Sequence, residues 1–120
     1  MDFGDPRIDW AIGHIEHNLQ QPLRVSELAQ TVNLSTSQFT RLFRAATGVA
    51  PARYIQLRRL ERARLLIERT FLTVKEVMGQ VGYNDPSHFT RDFSREYGAA
   101  PSRVRASHQR IQTADVEPGG

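Results

Sequence analysis

One segment of this chain occurs twice. Residues 25–54 read VSELAQTVNLSTSQFTRLFRAATGVAPARY, and residues 74–104 read VKEVMGQVGYNDPSHFTRDFSREYGAAPSRV. Val25, Glu27, Leu28 and Val32 find counterparts 49 residues on in Val74, Glu76, Val77 and Val81. Phe39, Thr40, Arg41, Phe43, Gly48, Pro51 and Arg53 recur 50 residues on as Phe89, Thr90, Arg91, Phe93, Gly98, Pro101 and Arg103, so the second copy has one extra residue in its middle. A solenoid needs three or more stacked repeats to bury a continuous core. Two copies instead indicate a motif duplicated within one small protein.

Each copy is written as helix, short turn, helix. Val25, Leu28, Ala29 and Val32 fall at i, i+3, i+4 and i+7, the spacing of an amphipathic helix. Asn33 follows, a residue that tolerates the left-handed backbone at helix ends. Ser35 is placed to cap the next helix, with Gln38 completing a capping box. Phe39, Leu42, Phe43 and Ala46 line that helix's apolar face and Gly48 stops it. Pro51 then stands where the first turn of a helix accepts proline. Copy two gives the same signals with other residues. Thr73 and Glu76 form the box, Val74, Val77, Met78 and Val81 the stripe, and Gly82 the stop. Asp85 caps the next helix ahead of Pro86, Phe89, Phe93 and Tyr97 face inward, Gly98 stops it, and Pro101 opens another.

The remainder extends the same pattern. Ile8, Ala11, Ile12, Ile15 and Leu19 predict a packing helix over residues 8–20. Ile55, Leu60, Ala63, Leu66 and Ile67 predict a long linker helix over 51–69, and residues 101–110 predict a short closing helix. No strand alternation is present. The expected fold is all-α, with about seven helices. Two helix-turn-helix subdomains, 25–47 and 74–97, are joined by the linker helix within one domain spanning 8–110. Residues 1–7 are expected to be disordered or a linker remnant, and residues 111–120 a disordered tail.

Composition narrows the function. An apolar content of 39%, with six Phe, three Tyr and one Trp, supports a small core. The absence of cysteine excludes a disulfide scaffold, a thiol nucleophile, an iron–sulfur cluster and a Cys-ligated zinc. Apolar runs are too short for a membrane span, and the N-terminus lacks the basic and apolar stretches of a signal peptide. A soluble, cytoplasmic protein is expected. No Gly-rich phosphate loop or nucleophile elbow occurs, so an enzyme is not expected. His14 and His17 sit three apart on one helix, a possible metal pair, but the spacing is not His-Glu-x-x-His and no third ligand is recognisable. They read as packing or surface histidines, with no metal or cofactor expected. Charge is unevenly placed. Residues 20–110 hold fifteen basic residues against seven acidic ones, a net +8, while residues 1–19 and 111–120 carry −3 and −2. A basic middle between acidic ends suggests a polyanionic partner.

The side of each second helix away from its core sharpens that suggestion. At 100° per residue, Ser37, Thr40, Arg41 and Arg44 lie opposite Phe39 and Phe43. Their counterparts in copy two are Ser87, Thr90, Arg91 and Ser94. Each stripe sets an Arg among hydroxyls. Arg can bond guanine O6 and N7, and Ser or Thr can bond bases or phosphates, which is the chemistry of a helix lying in a major groove. Any exposed helix is polar outside. The recurrence of Phe-Thr-Arg-x-Phe after a second helix and tight turn is what favours the specific reading.

These residues carry a family resemblance. In copy one they are Glu27-Leu28-Ala29, Ser35, Phe39, Arg41, Phe43, Thr47-Gly48, Pro51 and Tyr54, followed by Arg59-Leu60, Ala63 and Leu66 in the linker. The most specific stretch runs from Val81-Gly82-Tyr83 through Asp85-Pro86-Ser87-His88-Phe89-Thr90-Arg91-Asp92-Phe93 to Gly98 and Pro101. Over about residues 8–108 the sequence resembles the DNA-binding domain of the AraC/XylS family of bacterial transcription regulators. The resemblance implies two recognition helices entering adjacent major-groove segments of double-stranded DNA. By matching position it assigns base reading to Ser37, Thr40 and Arg41, and to Ser87, His88, Thr90 and Arg91. It assigns DNA-backbone contacts to Thr36, Arg44, Arg53, Arg95 and Arg103. It further implies an activator, RNA polymerase as a partner, and an effector-binding or dimerisation domain outside this chain, which is then a C-terminal fragment or a stand-alone regulator. Three positions depart from the pattern: Arg24 where a capping Thr or Ser is usual, Ser94 in place of a basic residue, and Val104 in place of an aromatic one. A linker helix of about 19 residues is roughly 28 Å long at 1.5 Å per residue. That is comparable with the ~34 Å between successive major-groove faces. Because the reading residues of the two helices also differ, one chain is expected to read a non-palindromic site of two sub-sites about one helical turn apart.

Two other readings use the same helices. A protein-interaction module would bury the polar stripes against another chain. An RNA binder would need an exposed aromatic platform for unpaired bases, and none is recognisable.

Overall fold

The computed structural model describes residues 4–115, with side chains through residue 109. Seven helices follow one another: α1 (Pro6–His17), α2 (Val25–Thr31), α3 (Thr36–Thr47), α4 (Pro51–Arg69), α5 (Val74–Gln80), α6 (Pro86–Tyr97) and α7 (Pro101–Asp115). The described residues contain no strand, and the fold is all-α. The chain divides into two compact units within α4, one ending at Arg59 and the other beginning at Leu60.

The starts and stops that punctuate the sequence are the ones that shape the helices. Ser35 and Gln38 form a reciprocal capping box at α3, and Thr73 and Glu76 form another at α5. Accepting the Thr73 backbone N–H holds the Glu76 carboxyl below its ordinary pKa. That contribution is present above the ordinary carboxylate range and fades as pH falls through the lowered value. Asp85 accepts from the Ser87 and His88 N–H groups ahead of α6. Asn33 and Gly82 take φ of 60° and 86° in the two turns, and Gly48 and Gly98 take 87° and 73° at the ends of α3 and α6. An L side chain rarely adopts this backbone, which is why Gly and Asn stand at these four places. Arg24 offers α2 no side-chain cap.

Each unit has its own core. In the first, Ile8, Ala11 and Ile15 of α1 meet Leu28 and Ala29 of α2, Phe39 and Phe43 of α3, and Ile55 of α4. In the second, Leu60, Ala63 and Ile67 of α4 meet Val77 and Met78 of α5 and Phe89 and Phe93 of α6. The duplication thus reaches further than the matching residues show. Ile8, Ala11 and Ile15 correspond to Leu60, Ala63 and Ile67, 52 residues on. The second half of α4 serves the second unit as α1 serves the first. The opening of α7 likewise mirrors the opening of α4, with Pro51 and Pro101 buried and Tyr54 and Val104 packed on their respective cores.

Polar clamps tie these outer helices down. The Tyr54 hydroxyl donates to Glu16 Oε1 (2.9 Å), and the Arg58 guanidinium bonds both Glu16 oxygens at 2.7 Å. Arg59 donates to the carbonyls of Leu19 and Gln21 beyond the end of α1. In the second unit Glu68, 52 residues after Glu16, approaches His108 (3.6 Å) and Arg64 (3.5 Å). Arg105 donates to the carbonyls of Ile67 and Thr70 at the end of α4. Charges on a long helix suggest surface ion pairs along it, and Arg64–Glu68 is one, but Arg58 reaches across to α1. Removing the charge of one partner in a hydrogen-bonded ion pair weakens bonds worth ~1.5–3 kcal/mol. Glu16→Gln is expected to lower stability in urea denaturation by about 1–2 kcal/mol, and a loss near zero refutes the clamp.

Three expectations are corrected. Residues 1–7 are not wholly disordered or linker: Asp5 caps α1, which begins at Pro6. Residues 111–115, expected in a disordered tail, continue α7, whereas residues 116–120 lie outside the described residues. Ala46 is exposed, because the core side of α3 is filled by Phe39 and Phe43.

Candidate nucleic-acid interface

The orientation of α3 follows from its packing. Phe39 and Phe43 are fully buried, so the opposite side must face solvent. Thr36, Ser37, Arg41 and Arg44 are exposed and Thr40 is half-buried. With Ala45 they line a shallow, open depression along the helix. In α6, Phe89 and Phe93 are buried in the same way. Ser87, His88, Thr90, Arg91 and Arg95 are exposed, and Ser94 is half-buried. Arg53 and Arg103 stand exposed in the first turns of α4 and α7, with Arg53 donating to Gln56 at 2.7 Å.

Electrostatics set these helices apart from the clamps. Among the described residues no carboxylate pairs with Arg41, Arg44, Arg91 or Arg95. Four guanidiniums held on two helix faces, without internal counter-charge, suit a polyanion. The two faces differ in one respect. Where α3 has Arg44-Ala45, α6 has Ser94-Arg95, so the second cation is moved one position around the helix.

His88 stands apart from its neighbours. Its Nε2 lies 3.1 Å from Oδ2 of Asp92, and its ring meets Tyr83 edge-on. Asp92 is only 5% exposed and also accepts from the Tyr83 hydroxyl at 3.0 Å. Sequence reasoning overlooked Tyr83 and Asp92 as a polar pair behind the recognition helix. The available signal was Asp92 standing where copy one has Leu42.

The two α1 histidines have other partners. His14 stacks on Trp10 with ring centroids 4.9 Å apart, and Nδ1 of His17 lies 2.8 Å from the Gly13 carbonyl. The described residues include no group of three potential metal ligands, and no helix among them is long and apolar enough to cross a membrane.

Two helix-turn-helix units, each with a hydroxyl-and-arginine face, define a class of protein, and comparison with known proteins supplies the family. The family described as a helix-turn-helix domain matches residues 28–107. The regulator CdhR of Pseudomonas aeruginosa is 33% identical over 90% of this chain and 32% of its own length. The lactose operon transcription activator of Staphylococcus xylosus is 29% identical over 88% of this chain and 38% of its own. Among solved structures, the DNA-binding domain of AdpA, in complex with a target DNA, is 27% identical with a TM-score of 0.83, covering 97% of this chain and 100% of that one. The chain belongs to the AraC-type helix-turn-helix family of transcriptional regulators. It spans about a third of the length of these two curated relatives.

Proposed function

We propose that this chain is the DNA-binding module of a bacterial transcription activator. It reads two adjacent major-groove segments of double-stranded DNA, one with α3 and the other with α6. The observation that carries the reading is the matched pair of outward faces: Ser37, Thr40 and Arg41 on one helix, Ser87, Thr90 and Arg91 on the other, each set by a buried Phe pair. Arg41 and Arg91 read base edges, while Thr36, Arg44, Arg53, Arg95 and Arg103 hold phosphates. The AdpA domain, similar along its whole length, is itself bound to a target DNA. The likeness to a lactose operon activator supports activation, with RNA polymerase as the protein partner in the cytoplasm. Effector sensing belongs to segments outside this chain.

Selection of bound duplexes from a random pool tests the reading. The expected product is one non-palindromic motif with two sub-sites. Log affinity for it falls linearly with log salt, with a slope of about −0.9 for each phosphate neutralised. Binding that ignores sequence and is flat with salt refutes the proposal and favours a protein-interaction module.

A further inference from the structure

Tyr83, His88 and Asp92 form a polar cluster that the fold itself does not require. The corresponding residues in the first unit are Leu34, Gln38 and Leu42. There the same turn closes with Leu34 N–H bonded to the Ala29 carbonyl, as Tyr83 N–H bonds the Met78 carbonyl in the second. Leu34 and Leu42 pack on the core, and Gln38 is folded into the capping box. An apolar pair therefore builds this junction. A buried carboxylate is costly to desolvate unless it is hydrogen-bonded, so its presence at Asp92 calls for a use.

The geometry points to that use. An ionised carboxylate can only accept, so the 3.1 Å approach of His88 Nε2 to Asp92 Oδ2 requires a proton on Nε2. The Tyr83 hydroxyl donates to the same oxygen and holds it in place. In the neutral ring, Nδ1 then carries the lone pair. No described hydrogen bond occupies Nδ1, and the side chain is 53% exposed on the third residue of α6. We propose that Asp92 is a positioning residue that fixes the tautomer of His88, so that this recognition helix presents a hydrogen-bond acceptor to the major groove. Such an acceptor selects a base with an exocyclic amine, cytosine through N4 or adenine through N6, and disfavours the O6 and N7 of guanine. Among the described contacts, Asp92 and Tyr83 meet the His88 ring, while Asp85, whose carboxylate caps α6, accepts the His88 backbone N–H. The Asp92 carboxylate, facing Nε2 and held by the Tyr83 hydroxyl, favours a ring that donates inward. The inference rests on the proposed base reading by α6 and adds the class of base that one side chain chooses.

The test combines duplex selection with 15N spectroscopy of the imidazole, both at about pH 8.5, on the neutral side of the ordinary histidine range. In the full chain the spectrum is expected to show Nε2 protonated and Nδ1 bare. One motif column is expected to favour cytosine or adenine over guanine by about fivefold or more, a fraction of what a bidentate contact gives. Asp92→Asn can donate as well as accept. It is expected to mix the tautomers and flatten that column to within about twofold, leaving the columns of the first sub-site intact. The double variant Tyr83→Leu/Asp92→Leu copies the first unit's apolar junction, keeps the fold and is expected to flatten the same column. A bare Nε2 in the parent chain overturns the proposal, as does a column that keeps its preference in both variants. If a motif is selected but His88→Ala changes no column, this proposal alone falls. If the parent chain selects no motif, the DNA-reading function falls and takes this proposal with it.

Discussion

Phe43→Ala is expected to lower the stability of the first unit by about 3–5 kcal/mol, the usual cost of truncating a buried phenylalanine. Phe43 is fully buried, with its ring 5.6 Å from that of Phe39 and 5.2 Å, edge-on, from that of Tyr54. Truncation opens a cavity between α3 and the start of α4 and removes the surface against which Tyr54 rests. Tyr54 in turn donates to Glu16, so the loss reaches the clamp on α1. Small domains have only ~5–15 kcal/mol in total. A loss of this size removes a large share of that total. Urea denaturation and amide exchange across residues 6–59 measure it. Ala46→Ser on the same helix is the control and is expected to stay within about 0.5 kcal/mol, because Ala46 is exposed. A Phe43→Ala cost below about 1 kcal/mol means that the core collapses to fill the site, and the orientation argument for α3 fails.

The contrast between Phe43 and Ala46 shows what the sequence can convey. Caps and stops act through bonds three or four residues away, so Ser35, Gln38, Gly48, Thr73, Glu76, Asp85 and Gly98 announce themselves in any reading of the chain. The Phe pairs are equally plain because they recur. Ala46 misleads because helical periodicity assigns it to the apolar face, while the width of that face is decided by the size of its neighbours. Two phenylalanines already span the core side of α3. The clamps were hidden for another reason. Glu16 and Arg58 are 42 residues apart, and no local pattern joins them. Of their counterparts, Glu68 repeats Glu16 but His108 stands where Arg58 does, so the duplication does not expose the pair either. The ends of the chain were misjudged because composition stood in for capping: Asp5-Pro6 is a helix start in its own right. At the candidate site, both stripes were legible as the faces left over once the cores were assigned. The exception is His88, whose inward partner, Asp92, sits on a buried position that periodicity assigns to apolar residues.

Arg41→Ala is expected to weaken binding to the selected site by about 1–3 kcal/mol and to relax one or two base positions of the first sub-site. Arg91→Ala is expected to do the same at the second sub-site, less strongly. Arg44 follows Arg41 three residues on, along the same face, and is expected to strengthen its grip on the DNA. After Arg91 the equivalent position is Ser94, and the cation stands at Arg95 instead, turned about 100° around the helix. The two arginines stand exposed on helices that pack in separate cores and share no protein partner, so their losses should add. The double variant then falls by about 2–5 kcal/mol, which approaches the gap between specific and non-specific binding. Competition of the selected duplex against scrambled DNA at fixed salt measures both terms. Equal weakening on all sequences, with a shallower salt slope, makes Arg41 a phosphate contact. A larger loss for Arg91→Ala than for Arg41→Ala reverses the ranking and refutes the argument from Arg44.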